Sequence, residues 1–336
     1  MNAQKIALLT DSCADIPQKL IKKYDIFVLP LRLLFHEGEY LDGETITPKE
    51  IYKRLPQEIP TTSLPSGDAV IRIFQKIQEK GYEKVLAVHL SAGLSGTYNL
   101  VRLVGENFVG LEVRAFDSVS ASLGEGLILL EAARMIEQGR AWGEILRAMP
   151  KLISNTKVFF CVDTLEYLQK GGRIGKITAV AGTLLQIKPI ISFAPDGQLV
   201  NVAKVRGRKS AISKMIDMVA EQVPAGARYH AAVANGDCAD EMQEIRAQFE
   251  ARLPDALSMT EGEIDCTLAT YVGPHLIGAG IQLLPDDLFD RGKLGFPAGR
   301  PFFRPSIFLT LCYLHSFGGY DIIKEMTTIQ IGEIIL

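Results

Sequence analysis

The segment Lys84–Tyr98 limits the fold more than any other part of this chain. A short apolar run, Val85 to Leu90, breaks into Ser91-Ala92-Gly93-Leu94-Ser95-Gly96-Thr97-Tyr98, and a helix-capable stretch follows. In an open α/β sheet such a break lies at the carboxyl edge of a strand, where ligands bind. The N–H groups opening the next helix lack intrahelical partners, and Ser91, Ser95 and Thr97 add hydroxyl donors. Gly93 and Gly96 let a ligand come close to the backbone. The arrangement suits an anion without needing a formal positive charge. An ordinary Ser/Gly turn with a helix cap fits the same residues.

The pattern around this segment predicts an α/β fold. Ile6–Leu9 reads as a first strand ending at Thr10-Asp11-Ser12, and Thr47-Pro48-Lys49-Glu50 as a capping box with proline at the first helical position. Val70, Ile73, Phe74 and Ile77 recur at helical spacing, and Gly81 is a stop signal. A helix is expected from about Gly96, a strand over Glu112–Phe116 running into Asp117-Ser118, and a helix carrying Leu123, Leu127 and Leu130 to near Gly139. Trp142 is expected in a helix core. Strands alternating with helices imply βαβ units and a mainly parallel sheet, so residues 1–156 are expected as an N-terminal α/β domain.

From about residue 157 the texture changes. Val158–Val162 is one apolar run, and Pro189–Phe193 and Leu199–Val205 flank the turn signal Ala194-Pro195-Asp196-Gly197, predicting an antiparallel hairpin. Arg228–Ala234 and Cys266–Tyr271 are expected as strands, with a helix from about Cys238 to Arg252, giving a second, α+β domain over 157–284. Residues 285–336 hold four prolines, several glycines and apolar stretches without a period, and no structure is assigned to that tail.

Composition narrows the function classes. The 336 residues are 47% apolar and 22% charged, which suits a globular protein with a sizeable core. A net charge of −3 gives no basic footprint for nucleic acid or an anionic membrane. Cys13, Cys161, Cys238, Cys266 and Cys312 are odd in number and form no Cys-x-x-Cys pair, so reduced thiols in a cytoplasmic protein are expected, without structural zinc. The run at Ile6–Leu9 is too short for a signal peptide, and no segment approaches the ~18 apolar residues that span a bilayer.

Three further polar clusters fall at predicted strand or helix ends: Asp11-Ser12, Thr61-Thr62-Ser63-Leu64-Pro65-Ser66 and Asp117-Ser118. Together with Ser95 they would build a polar pocket mouth on one sheet edge, although Thr or Ser before a helix is most often only a cap. Gln169-Lys170-Gly171-Gly172-Arg173-Ile174-Gly175-Lys176-Ile177-Thr178 imitates a phosphate loop but fails, because Lys170 holds the first glycine position and Ile177 separates Lys176 from Thr178. Arg173 in its double-glycine turn offers a guanidinium to an anion or is simply solvated. Lys204-Val205-Arg206-Gly207-Arg208-Lys209 is a basic patch, either a solvated strand end or a docking face for an acidic or phosphate-bearing partner. His36, His89, His230, His275 and His315 show no metal-ligand spacing, and neither a Gly-x-Ser-x-Gly elbow nor a Gly-x-Gly-x-x-Gly fingerprint occurs. No metal, no cofactor and no catalytic residue is therefore expected.

Taken in order, Thr10-Asp11-Ser12, Thr62-Ser63-x-Pro65-Ser66, Leu94-Ser95-Gly96-Thr97-Tyr98, Asp117-Ser118, Gly171-Gly172-Arg173-Ile174 and Ile187-Lys188-Pro189-Ile190 resemble the DegV family, the fatty acid-binding subunits of bacterial fatty acid kinase. The resemblance covers about residues 5–284. It implies two domains with one long-chain fatty acid between them. It also implies a separate ATP-binding kinase subunit that phosphorylates the bound carboxylate, the acyl phosphate feeding phospholipid synthesis. Thr62 and Ser95 match the residues that hydrogen-bond the carboxylate, with Ser63, Gly96 and Thr97 beside them; Arg173 matches the nearby arginine, and Arg206 the kinase-docking stretch. Asp11, Ser12, Asp117 and Ser118 stand at the pocket edge. The family's carboxylate-binding histidine has no direct counterpart. Aligned on Gly273-Pro274, Tyr271 takes its place, and His275 falls four residues later. A phenol can donate one hydrogen bond but carries no positive charge. Two rival classes are a small-molecule phosphotransferase or hydrolase using Ser95 or Asp117 directly, and a lipid-sensing regulatory module.

Overall fold

The computed structural model describes residues 1–177 and 186–285. Most of the tail expected over 285–336 lies outside them, as do Thr178, Cys312 and His315. Strands are numbered β1–β13 and helices α1–α10 in chain order. The first sheet is four-stranded and wholly parallel, in the order β2 (Ile26–Leu29), β1 (Ile6–Asp11), β6 (Lys84–His89), β7 (Glu112–Asp117). Its two central strands are apolar on both faces because both faces are covered, as parallel sheets require. Ala7, Leu9, Val85 and Ala87 pack on α3 (Gly67–Glu79) and α4 (Thr97–Asn107). Ile6, Leu8, Leu86 and Val88 pack on α5 (Leu123–Glu137) and α6 (Trp142–Ser154), with Trp142 partly buried against the same cluster.

The second sheet is six-stranded and mixed, in the order β10 (Leu199–Arg206), β9 (Ile187–Phe193), β8 (Thr156–Cys161), β13 (Leu276–Leu283), β11 (Tyr229–Gly236), β12 (Met259–Glu263). The β9–β10 hairpin turns at the Pro195-Asp196-Gly197 signal. The outer face of this sheet packs on α8 (Arg208–Ala220) and α9 (Ala239–Arg252) through Phe159, Ala231, Val233 and Ile277 against Ile212, Met215, Ile245 and Phe249. A small antiparallel sheet, β4 (Gly38–Leu41), β3 (Arg32–Phe35), β5 (Thr61–Ser63), lies near α2 (Pro48–Arg54), whose capping box closes with Glu50 accepting from Thr47 N at 2.9 Å. Short helices α1 (Gln18–Tyr24), α7 (Glu166–Lys170) and α10 (Cys266–Val272), with a 3-10 turn over Ser12–Ala14, complete the described elements.

Cys266–Tyr271 is thus a helix and not the strand expected from its apolar and β-branched residues. Asp265 caps it, accepting from Leu268 N at 3.0 Å, and Asp42 accepts from Cys266 N and Thr267 N, both at 3.0 Å. Those carboxylates satisfy the orphan donors of the first turn, which outweighs local propensity. Among the described residues no helix is long and apolar enough to cross a membrane.

Helix α5 joins the two large sheets. It is buried on nearly every side, as an all-round apolar helix must be. Ile128, Leu129 and Met135 face the first sheet, while Leu123 and Leu127 face the second. Gly124 permits the close approach, since a Cβ there would lie 2.6 Å from Val158 Cγ2. Its buried Glu131 is tied to β11, 3.1 Å from His230 Nε2.

Candidate functional site

The inner face of the second sheet encloses a cavity of about 200 Å3. Its floor is made by two rungs across three neighbouring strands: Val158, Gly280 and Ala232 in one, Phe160, Gly278 and Ala234 in the other. Small residues on β11 and β13 leave the space that Leu or Val would fill. The two glycines do different jobs. A Cβ on Gly280 would stand 2.8 Å from Lys157 O, so that position serves close backbone packing. A Cβ on Gly278 would find its nearest neighbour, Phe160 Cβ, at 3.7 Å, so that position leaves open room. An apolar cavity of roughly 150 Å3 stays dry and admits benzene, so this one suits an apolar guest.

The other end of the cavity is polar. Thr62 and Ser63 come from β5, Ser95 and Gly96 from the β6–α4 turn, Tyr271 from α10 and Arg173 from the double-glycine turn. The Thr62 hydroxyl is hydrogen-bonded to the Tyr271 phenol, bridging elements 209 residues apart in sequence. Ser63 Oγ accepts from Arg32 Nη2 at 2.9 Å, and Ser95 Oγ pairs with Thr97 Oγ1 at 2.9 Å. The Arg173 guanidinium lies 5.2 Å from the Tyr271 ring centroid and donates to Gly171 O at 3.0 Å. Gly171 is required there, because a side chain would collide with that ring. Among the described lining residues Arg173 alone carries a formal positive charge. Hydroxyls and one guanidinium can satisfy a desolvated anionic headgroup.

The mouth is fixed by a contact between the two large sheets. Ser91 Oγ donates to Gly197 O at 2.8 Å, and a Cβ on Gly93 would sit 2.6 Å from the Gly197 carbonyl carbon. Two turns, one from each sheet, thus pack backbone against backbone beside Ser95.

Other expected residues lie outside the cavity lining. Asp11 folds back on its own strand edge, accepting from Cys13 N and Leu90 N at 3.0 Å each, and Ser12 Oγ donates to Asp42 at 3.0 Å. Asp117 accepts from Ala92 N at 3.1 Å and Val119 N at 2.8 Å, and Ser118 Oγ donates to Ser120 O. These groups hold the turns that carry the hydroxyls. Thr97 is buried behind Ser95. His275, at φ 64°, donates its N–H to Gly236 O and accepts from Arg208 through its carbonyl; its side chain is not in the lining. Arg206 is exposed on β10, bonded to Gln186 Oε1 at 2.6 Å.

Sequence reading missed Ser122, Asp42 and the glycine floor. Ser122 lines the cavity at φ 56°, ψ −145°, a conformation nearly reserved for glycine and costing of order 1–3 kcal/mol. Its N–H bonds Cys13 O at 2.8 Å and its hydroxyl bonds Asp15 at 2.5 Å, which over-determine the position. Asp15 is buried behind it. Burial pushes its carboxyl up to about 8, against hydrogen bonds from Ser122 and Asp265 N and reinforced by the nearby Asp42 charge. The buried Asp265 carboxyl is likewise raised, first by desolvation and then by Asp42 and Asp15.

A family model described as an uncharacterised protein of the DegV family matches residues 5–283. The chain belongs to the DegV family. A DegV domain-containing protein of Clostridium acetobutylicum is 40% identical over 280 residues, 83% of this chain and 99% of the relative. Among solved structures, a DegV family protein of Thermus thermophilus described by its fatty acid binding is 30% identical with a TM-score of 0.78, covering 84% of this chain and 100% of that one. DegV of Bacillus subtilis, described as a fatty acid binding protein, is 29% identical with a TM-score of 0.75 over the same shares, 84% and 100%. The parallel sheet and separate mixed sheet are the architecture these DegV structures share with this chain. Of Tyr271 and His275, Tyr271 is the one in the cavity lining of this DegV chain.

Proposed function

We propose that this protein is a non-enzymatic carrier that binds one long-chain fatty acid between its 1–156 and 157–284 parts. It buries the acyl chain over the glycine and alanine floor and presents the carboxylate to a separate ATP-dependent kinase subunit. The observation that carries the reading is a cavity with an apolar floor whose lining also holds the hydroxyls of Thr62, Ser63, Ser95, Ser122, Thr267 and Tyr271 and the Arg173 guanidinium. A chain of ~14 methylenes contributes about 11 kcal/mol of burial at about 0.8 kcal/mol each, before association costs of several kcal/mol. Hydroxyl donors and the Arg173 guanidinium hold the headgroup while leaving a carboxylate oxygen free to react. A carboxylate oxygen then attacks the γ-phosphorus of ATP on the partner, releasing ADP and leaving an acyl phosphate for phospholipid synthesis. The fatty acid binding described for the Thermus and Bacillus relatives supports the first half of this reading. Arg206, exposed beside the β9–β10 hairpin, is assigned to partner docking.

Lipid extracted from the purified protein and identified by mass spectrometry tests the carrier role, with one fatty acid per chain expected. Absence of extracted fatty acid, together with no rise in melting temperature on adding oleate or palmitate, overturns it. Failure of a reconstituted kinase subunit to form acyl phosphate from a loaded carrier overturns only the second half.

A further inference from the structure

Two histidines, His89 and His230, are buried against carboxylates, and only one of them is finished within the protein. His230 has both ring nitrogens bonded, Nδ1 to Ser258 Oγ at 2.7 Å and Nε2 to Glu131 Oε2 at 3.1 Å. His89 is wholly buried with Nδ1 3.0 Å from Asp11 Oδ2, while its Nε2 has no hydrogen-bond partner. Beside it Glu125 is also wholly buried. One of its oxygens accepts from the Thr10 hydroxyl at 2.7 Å, and the other, Oε2, has no partner. One ligand-type atom from each of Asp11, His89 and Glu125 falls within 4.8 Å of the others. Buried polar atoms are almost always satisfied, and a cluster of orphans in a donor set of this kind points to an ion.

We propose that Asp11, His89 and Glu125 form a binding site for one divalent transition-metal ion. One imidazole nitrogen and one oxygen from each carboxylate make a mixed nitrogen and oxygen donor set of the kind zinc accepts. Charge agrees with geometry. A doubly charged ion would offset the charge of both buried carboxylates. Spacing along the chain gives no hint of the site, because its ligands come from the ends of β1 and β6 and the first turn of α5. The ion would clamp α5 to the edge from which Asp11 holds Leu90 N, immediately before the Ser91–Ser95 turn. The inference stands on the buried geometry and is independent of the bound lipid.

The test uses the full chain, stripped with a chelator and then equilibrated with Zn2+. After desalting, metal analysis is expected to find one ion per chain, and Zn2+ is expected to raise the melting temperature. Co2+ in its place should give a visible absorption band. Glu125→Gln keeps the shape and the Thr10 hydrogen bond, and is expected to weaken Zn2+ binding about tenfold or more. His89→Gln serves as the second variant if the first does not fold. His36→Ala is the control, since His36, Glu37 and Glu58 form an exposed cluster of similar residues. No retained ion in the wild type, or binding lost in His36→Ala and kept in Glu125→Gln, overturns the proposal. A proton on Glu125 with a trapped water would then account for the cluster.

Discussion

Replacing Gly278 by valine tests the cavity floor directly. The Cβ built on Gly278 meets Phe160 Cβ at 3.7 Å, Leu276 Cδ2 at 3.8 Å and Ala234 Cβ at 3.9 Å, all ordinary contacts. The backbone tolerates a side chain there, and a β-branched residue favours a strand, so the variant should fold with an unchanged or raised melting temperature. Three added carbons would occupy the space of about two to three ligand methylenes, a loss of about 2 kcal/mol at about 0.8 kcal/mol each. That corresponds to roughly a 30-fold rise in Kd for a long chain. A short chain that does not reach the floor should lose little. Isothermal titration with palmitate and decanoate on wild type and Gly278→Val measures the difference. Gly280→Val is the contrasting variant, expected to damage folding because its Cβ would press on Lys157 O at 2.8 Å. A well-folded Gly278→Val with unchanged palmitate affinity would refute the assignment of this face as the acyl floor.

The headgroup end gives a second test. Tyr271→Phe removes the Thr62 partner and should cost about 0.5–3 kcal/mol of fatty acid affinity, while His275→Ala should be silent by titration; the reverse pattern would move the site. Arg206→Ala should slow kinase-coupled acyl phosphate formation and leave lipid affinity unchanged, because an exposed charge acts on encounter with a partner. Asp15 makes stability fall as pH rises. Its folded carboxyl, pushed up to about 8 from an ordinary 3.8, holds a proton that the unfolded chain releases across that window. The melting temperature should therefore decline between about pH 5 and pH 8, and Asp15→Asn, which can still bond Ser122 and Asp265 N, should flatten the slope.

Much of the framework was legible because it is set locally. The apolar run before Ser91, the Thr47 capping box and the Asp196-Gly197 turn each carry their own structural signal, and each appears at its place. Helix α10 was not legible. Its residues favour a strand, and the acceptors for its first N–H groups include Asp42, more than two hundred positions away. Strand β13 was missed for a related reason: glycines weaken strand propensity, and their purpose is visible only when Phe160 and Val158 stand across from them. The hydroxyl-bearing turns announced a polar mouth. The sequence could not separate those whose side chains face the cavity, at Thr62 and Ser95, from Asp11 and Asp117, which turn back onto backbone N–H groups. A floor built from missing side chains leaves no motif at all.

The place of β13 in its sheet has a kinetic consequence. It is the last described strand in chain order, yet it lies between β8 and β11 and pairs with both. While the chain emerges from a ribosome, those two strands have no partner for their facing edges until Leu276–Leu283 arrives. The sheet closes from the middle, by insertion, and the β8–β13 pairing joins residues more than a hundred positions apart, which slows folding. The cavity floor exists only after that insertion, so on the proposed carrier reading loading follows synthesis. A chain stopped before Leu276 would display two open strand edges, the template for association with its own copies.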